Sequence, residues 1–204
     1  MRTNSTEQFV FVGFGKRLLA YFIDLIPGCA FVPLTRGIMV WSFQHRTILP
    51  YVAWSTVWAV VWLWLVVRFG ATPGKFAIRA RIVDRDGVFL SWGRAFLRMT
   101  PGLLYSVILL LRISTAIGQY PEGAPCSTFH EIGLLLRDYG NPFYRHLFLP
   151  LLLFAYVDVG TILFNREKRA IHDFIAGSYV ITKDSYQEVA ERLATADHCL
   201  SCGG

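Results

Sequence analysis

The sequence predicts an all-α integral membrane protein with about four transmembrane helices and a short cytoplasmic β-hairpin-like loop. Three observations lead to this fold class. Hydrophobic residues make up 54% of the 204 residues, charged residues only 17%, and the mean hydropathy is +0.43, whereas soluble domains have about 25% charged residues. Four apolar segments approach the length of a membrane helix. Asp24 and Asp158 lie inside two of these segments, where a carboxylate is costly and normally faces protein or water.

The first two apolar segments follow a polar N-terminus. Residues 1–13 are mixed and polar and no small-residue cleavage site follows, so no signal peptide is predicted and the first helix stays as an anchor. Residues 18–43 are interrupted by Pro27 and Pro33, which predicts a kinked or broken helix. Residues 48–67 carry no charge, and this run of roughly 20 residues matches a hydrocarbon core of about 30 Å.

The last two apolar segments differ in length. Residues 96–117 are interrupted around Pro101 and contain Arg112, which leaves roughly 13 uninterrupted apolar residues and is compatible with a short span or a re-entrant piece. Residues 147–164 are long enough to cross a bilayer with little tilt. Asp158 is the only charge in this last segment.

The distribution of Lys and Arg predicts the orientation. These residues concentrate before the first segment, between the second and third, and after the fourth. The positive-inside rule then puts both termini and the central loop in the cytoplasm. We expect the membrane to be a bacterial inner membrane. We expect a transmembrane domain over residues 1–183 and a cytoplasmic tail over residues 184–204. The formal charge of +6 predicts attraction to anionic lipid headgroups, and no groove-reading motif points to nucleic acid.

Two loops have recognisable patterns. Residues 76–90 alternate apolar and basic side chains and turn at Asp86 and Gly87, which predicts a short hairpin. Residues 118–141 are rich in Gly, Pro and charge, and we expect a short amphipathic helix at residues 128–139 within this outward loop. The sequence supports no internal repeat.

Three separated motifs carry a resemblance. GKRLLAYFID at residues 15–24 resembles the opening motif of the RDD family, small membrane proteins named for one arginine and two aspartates. TPGK at residues 72–75, followed by IVDRDG at 82–87 and Arg94, resembles the cytoplasmic loop of that family. RAIHDFIAG at residues 169–177 resembles its closing motif.

The resemblance assigns roles to particular positions. It implies that Arg17 is the family arginine and that Asp24 and Asp173 are the two aspartates, with Lys75, Arg94, Arg169 and His172 as further motif residues. Ser178 stands where the family pattern has a threonine. The resemblance also implies an integral membrane protein of undefined biochemical role, for which transport of an unidentified ligand has been proposed and cation/proton exchange suggested for some members.

The intramembrane acids have two interpretations. Arg17 and Asp24 lie on one helical face about 10 Å apart along the axis, so Asp24 is either part of a structural clamp or an ion or proton site. Asp158 lies at about the same depth from the cytoplasmic end of its segment and has no basic residue within one turn of its helix. The two carboxylates either share a proton or cation, or they face different helices and each pairs with its own arginine.

The remaining candidates favour structural roles. His172 and Asp173 lack the further ligands that a metal-dependent hydrolase needs, so no metal is predicted, and Asp173 is expected to anchor the turn that follows it. TPGK is a tight turn and not a phosphate loop, and Lys75 is expected to meet headgroups. Cys199 and Cys202 form a single C-x-x-C in the tail, which is weak support for a redox or zinc site.

Two functional hypotheses follow. One is a small transporter or ion-coupled exchanger that works as a homo-oligomer. The other is a non-catalytic assembly factor or scaffold that binds a membrane partner protein. No nucleophile is paired with a base, so neither an enzyme nor a cofactor is predicted.

Overall fold

The computed structural model describes residues 9–121 and 128–202. Its helices and strands, in chain order, are α1 (Phe14–Ala30), α2 (Val32–Gln44), α3 (Leu49–Phe69), α4 (Pro73–Ala77), β1 (Ala80–Val83), α5 (Trp92–Gln119), α6 (Phe129–Asp138), α7 (Pro142–Phe164), α8 (Ile171–Ile175), β2 (Tyr179–Thr182) and α9 (Lys183–Cys202). Cys126 and the side chains of Cys199 and Cys202 lie outside this description.

The helices confirm the predicted fold class. Within the described residues, three helical runs are long and apolar enough to cross a membrane, and the bent pair α1 and α2 makes a fourth if it is counted as one span. Many large apolar side chains on these helices are exposed. Such exposure is typical of a membrane protein, because lipid covers surface that water would disfavour.

Prolines act differently in the first and third spans. The first is broken at Phe31, where α1 and α2 meet at 51°, because a proline in the first turn of α2 favours a helix start. The third was expected to be interrupted around Pro101, yet α5 runs through it as one helix of 28 residues. A proline inside a helix removes one backbone hydrogen bond, which membrane helices tolerate.

The chain divides into two compact units. Of the described residues, the helix unit comprises 26–61, 100–121 and 128–157, and its core includes Phe43, Ile113 and Tyr120. The predicted amphipathic helix is confirmed here as α6, which buries Ile132 and Leu135 in that core. Thr128 and Glu131 close its first turn with a reciprocal capping box.

Of the described residues, the sheet unit comprises 9–25, 62–99 and 158–202. Its centre is the antiparallel pair β1 and β2, in which Arg81 lies opposite Ile181. Residues 10–12 pair with the other edge of β2, through Val12 N–H to the Val180 carbonyl and Thr182 N–H to the Val10 carbonyl, both at 3.0 Å. All four residues of β1 are buried, so their backbone groups need partners within the protein.

The hairpin expected in the central loop forms only in part. The turn closes, with Asp84 N–H donating to the Val88 carbonyl at 2.8 Å and a single bridge between Val83 and Phe89. The ladder partner of β1 is β2, which lies about a hundred residues further along the chain. In the folded protein, β1 therefore pairs with the distant strand β2 and not with the residues that follow its own turn, because β2 supplies a second buried apolar strand.

Two segments of the sheet unit follow the same path. Residues 72–83, the first repeat, contain an N-cap residue, the five-residue helix α4, a left-handed residue and β1. Residues 170–181, the second repeat, contain α8 and most of β2 in the same order. The backbone therefore contains a repeat that the amino-acid sequence does not show. Sequence could not reveal the repeat, because Phe76 and Phe174 are the only identical pair when the two segments are aligned.

Candidate functional site

Asp173 is the centre of the charged cluster in the sheet unit. It is the third residue of α8 and its side chain is fully buried. Its Oδ2 lies 2.7 Å from Nη1 of Arg17 on α1, and its Oδ1 accepts from Nη1 of Arg98 on α5. Oδ2 also accepts from the backbone N–H of Ala170 at 3.1 Å, which caps the start of α8. One carboxylate thus joins three helices.

Both arginines are withdrawn from solvent. The side chains of Arg17 and Arg98 are only 9% and 7% exposed. Arg17 also donates its Nε to the Val12 carbonyl at 3.0 Å, and Arg98 donates to the Ser178 hydroxyl. Because removal of one partner of a buried ion pair leaves an uncompensated charge, such pairs are costly to break.

The surroundings of Asp173 favour its charged form. Burial alone raises the pKa of this carboxyl, but the positive charges of Arg98, His172 and Arg17, with the hydrogen bond from Arg17, lower it further than burial raises it. The net result is a pKa well below the ordinary value for an aspartate. Asp173 is therefore an anion at physiological pH.

Asp24 does not pair with Arg17, although the two residues lie on one face of α1. The Asp24 carboxylate accepts from the Thr72 hydroxyl and from the Gly74 backbone N–H, both at 2.7 Å. A helical side chain leans toward the helix N-terminus, which takes Arg17 toward Val12 and away from Asp24, two turns further along α1. Asp24 thereby holds the N-terminus of α4.

Only glycine fits at position 74, because there is no space for a side chain between α4 and α1. A Cβ at Gly74 would lie 1.9 Å from the Ala20 carbonyl oxygen and 2.9 Å from Cγ of Asp24. Because the first obstacle is helix backbone, it cannot move aside cheaply. Glycine in the TPGK motif allows the turn to sit directly on α1.

Asp158 is buried and bonded to His172. Its Oδ1 accepts from the His172 backbone N–H at 2.8 Å, and its Oδ2 lies 2.5 Å from His172 Nδ1. Nε2 of the same ring lies 3.4 Å from Oδ1 of Asp173. The imidazole, which is 25% exposed, therefore lies between two carboxylates.

The two intramembrane acids occupy equivalent places. Asp24 binds the backbone N–H of Gly74, and Asp158 binds that of His172, which is the second residue of its short helix as Gly74 is of α4. Each acid thus satisfies an N–H group that a helix start leaves unpaired. The two acids therefore have separate partners, but the partners are Thr72 and Gly74 for one and His172 for the other, and not the arginines that the second alternative named.

The other motif residues support the cluster from outside. Lys75 is half-buried, and its charge interacts with those of Arg98, Asp24 and Asp173. The Arg169 guanidinium lies 4.1 Å from the ring centre of Phe174 and donates to the Asp173 backbone carbonyl at 3.1 Å.

Arg94 is not part of the cluster. Its side chain is 49% exposed and donates to Asp84 at 3.0 Å, which holds the turn after β1. Arg94 therefore stabilises the loop and does not contact the buried acids.

The sequence interpretation missed Arg98 as a member of the cluster. Arg98 is a cation inside the apolar run of residues 96–117 and is as unusual there as Asp24 is in the first segment. That signal could have identified it. No comparable signal links Asp24 to Thr72 and Gly74, which lie about fifty residues away in the sequence.

The cluster has the chemistry of a polar clamp. Its carboxylates accept hydrogen bonds from guanidinium, hydroxyl, imidazole and backbone donors. In the described part of the chain, no group of three or more His, Cys, Asp or Glu side chains is placed to hold a metal ion. What the arrangement can do is fix the positions of helices relative to the small sheet.

Comparison with known proteins gives one match. The model of the RDD family matches residues 11–177. That range contains Arg17, Asp24, Asp158 and Asp173. No curated protein matches the chain. No solved structure matches it either.

Proposed function

The chain belongs to the RDD family, whose model covers residues 11–177, and on that premise we propose that it acts as a non-catalytic membrane scaffold or assembly factor. It is a membrane protein with apolar helices long enough to span a bilayer. The proposal concerns its charged residues, which would hold helices and the small sheet in a fixed arrangement for a partner.

One observation carries this proposal: each of the three acids, two of them buried and Asp24 half-buried, is bonded to donors from a different part of the chain. Asp173 meets two arginines, Asp24 meets the turn before α4, and Asp158 meets His172. An ion-coupled exchanger needs carboxylates that can release these donors and take a cation or proton. Carboxylates that already accept several protein hydrogen bonds favour a structural role.

A second candidate rests on His172. The imidazole is partly exposed and lies between Asp158 and Asp173, and histidine is the side chain best suited to exchange protons near neutral pH. This arrangement favours a small ion- or proton-coupled exchanger. The two candidates differ in whether the Asp158–His172 contact must open during function.

Flux measurements in liposomes separate the candidates. The scaffold predicts that reconstituted wild type carries no more sodium, potassium or proton flux than protein-free liposomes do. An exchanger predicts flux in wild type that Asp158→Asn abolishes. The variant should still be folded, with the elution volume and the unfolding transition of a folded protein. Such flux would overturn the scaffold proposal.

The same proposal includes location and partners. We expect a bacterial inner membrane with both termini in the cytoplasm, because Lys and Arg concentrate beside those segments. Anionic headgroups and either a second copy or another membrane protein would be the partners. Reporter fusions after Lys183 and within residues 79–86 should report cytoplasm, and one at Pro121 the opposite side. A cytoplasmic signal at Pro121 would contradict this topology.

A further inference from the structure

Both short helices of the sheet unit lie beside spanning helices. Gly74 on α4 packs against Ala20 and binds Asp24, the eleventh residue of α1. Asp24 lies ten residues after the start of that helix, which corresponds to about 15 Å along its axis. The start of α4 therefore lies well inside the length of α1 and not beyond its end.

The second short helix is placed in the same way. The His172 backbone at the start of α8 binds Asp158, six residues before Phe164, the last residue of α7. Six residues correspond to about 9 Å of helix. The chain thus leaves α7, turns back and begins α8 alongside the part of α7 it has just left.

Each short helix presents a phenyl ring outward. Phe76 and Phe174 are each the fourth residue of their helix and are 53% and 48% exposed, and the neighbouring Ile175 is 51% exposed. On the inner face of each ring lies a guanidinium, that of Arg81 at 4.4 Å and that of Arg169 at 4.1 Å. Both arginines are more than nine-tenths buried.

We propose that Phe76, Phe174 and Ile175 insert into the acyl chains of the cytoplasmic leaflet, so that α4 and α8 are a pair of re-entrant helices that seat the sheet unit in the bilayer. The depth of the contacts with α1 and α7 favours lipid over water as the surroundings of these rings. Lipid is also the neighbour of the spans that lead into both helices. The inference rests on the membrane spans and, for the choice of leaflet, on the orientation proposed above, and it holds for a scaffold or an exchanger.

The arrangement explains why an arginine lies behind each ring. A guanidinium near hydrocarbon needs to be screened from it, and an aromatic face attracts a cation. Each phenyl would contact lipid with one face and cover an arginine with the other. Cation and acyl chain are thereby kept apart by one ring.

Spin labels provide the test. Single cysteines at Phe76 and Phe174 would be labelled in the full chain after the native cysteines are changed to serine, in liposomes of phosphatidylethanolamine and phosphatidylglycerol. Collision with oxygen reports the acyl region and collision with a water-soluble nickel chelate reports water. The matched control is Val88→Cys, which is 52% exposed in the turn after β1.

We expect labels at Phe76 and Phe174 to collide with oxygen several-fold more than with nickel, and the label at Val88 to show the reverse. Nickel access at Phe76 and Phe174 equal to that at Val88 would overturn the proposal. Low collision with both reagents would also overturn it, because a protein surface would then cover the rings.

A second measurement needs no substitution. Wild type would be irradiated in liposomes that contain a phospholipid with a diazirine on its acyl chain, and the crosslinked peptides identified by mass spectrometry. The proposal predicts crosslinks within residues 73–77 and 171–175. Crosslinks confined to the spanning helices would contradict it.

Discussion

The two repeats share one backbone. Their N-cap residues, Thr72 and Ala170, have φ and ψ of −82° and 164° against −83° and 166°. The left-handed residues that follow the short helices, Arg79 and Gly177, have φ of 56° and 60°. Ile82 and Val180 lie opposite each other in the sheet, each ten residues after its N-cap. An approximate two-fold axis through that pair relates the repeats.

The side chains of the two repeats differ at the start of the short helix. The second position is Gly74 in one and His172 in the other, and the third is Lys75 in one and Asp173 in the other. The first repeat is fixed by close backbone fit and uncharged donors to Asp24. The second is fixed by ion pairs and by an ionisable ring.

The N-terminal capping hydrogen bonds of the short helices also differ between the two repeats. In the first repeat the Thr72 hydroxyl accepts from the N–H of Lys75, and in the second the Asp173 carboxylate accepts from the N–H of Ala170. These are the two halves of a capping box. The same backbone unit is thus stabilised by close packing in the first repeat and by charge in the second. A change in side-chain size should therefore mainly affect the first repeat, and a change in charge the second.

The largest expected effect is loss of charge in the second repeat. Asp173→Asn keeps the shape of the side chain but leaves Arg17 and Arg98 buried without their counter-ion, which should cost about 3–5 kcal/mol in the free energy of unfolding. The matched variant is Lys75→Gln at the equivalent position, where the side chain is half-buried, and its loss should be clearly smaller. Denaturant titration in detergent measures both. Equal losses would break the comparison.

A change in size should act on the first repeat. Gly74→Ala would push Cβ into the Ala20 carbonyl and should cost about 1–3 kcal/mol by overpacking. The control is Gly93→Ala on α5, where a Cβ meets nothing within 4 Å and alanine favours the helix. Thermal unfolding of both variants would test this. If Gly74→Ala were as stable as wild type, the close fit would not hold α4 in place.

Acid should affect the second repeat progressively. The pKa of Asp173 is lower in the folded chain than in an unfolded one, so its contribution is complete above the ordinary aspartate value of about 3.9 and is lost as pH falls through the lower folded pKa. Wild-type stability should therefore decrease by up to about 1.4 kcal/mol per pH unit in that range from this group.

Variants identify the source of this acid slope. The stability difference between wild type and Asp173→Asn should shrink as pH falls, because protonation removes the same charge. Gly74→Ala should keep the wild-type slope, since it alters space and not charge. A difference between wild type and Asp173→Asn that stayed constant down to strongly acidic pH would assign the slope to other carboxylates.

Much of the fold could be predicted because membrane spans depend on local composition. An apolar run of sufficient length spans or lies in the bilayer whatever it packs against, and the predicted segments correspond to α1 with α2, α3, α5 and α7. The short helix at residues 128–139 was also predictable, since its apolar positions share one face and its cap is local.

The pairing of charges could not be predicted in the same way. Asp24 and Arg17 share a helix face, yet their partners come from α4 and α8. Asp158 has no base nearby on its helix and finds one in His172. Spacing along one helix limits which side chains are neighbours, but it does not say which other element packs against that face.

The sequence by itself determined that this protein is embedded in a bilayer and which segments form its helices. It also singled out the charged motif residues Arg17, Asp24 and Asp173. Both are possible because hydropathy and the cost of burying a charge depend on individual residues. Only the tertiary structure decided that β1 pairs with β2, that Asp173 joins Arg17 to Arg98, and that two segments with one shared phenylalanine form a repeat. Those features depend on contacts between residues far apart in the chain, and backbone geometry can be conserved between two segments whose side chains are almost entirely different.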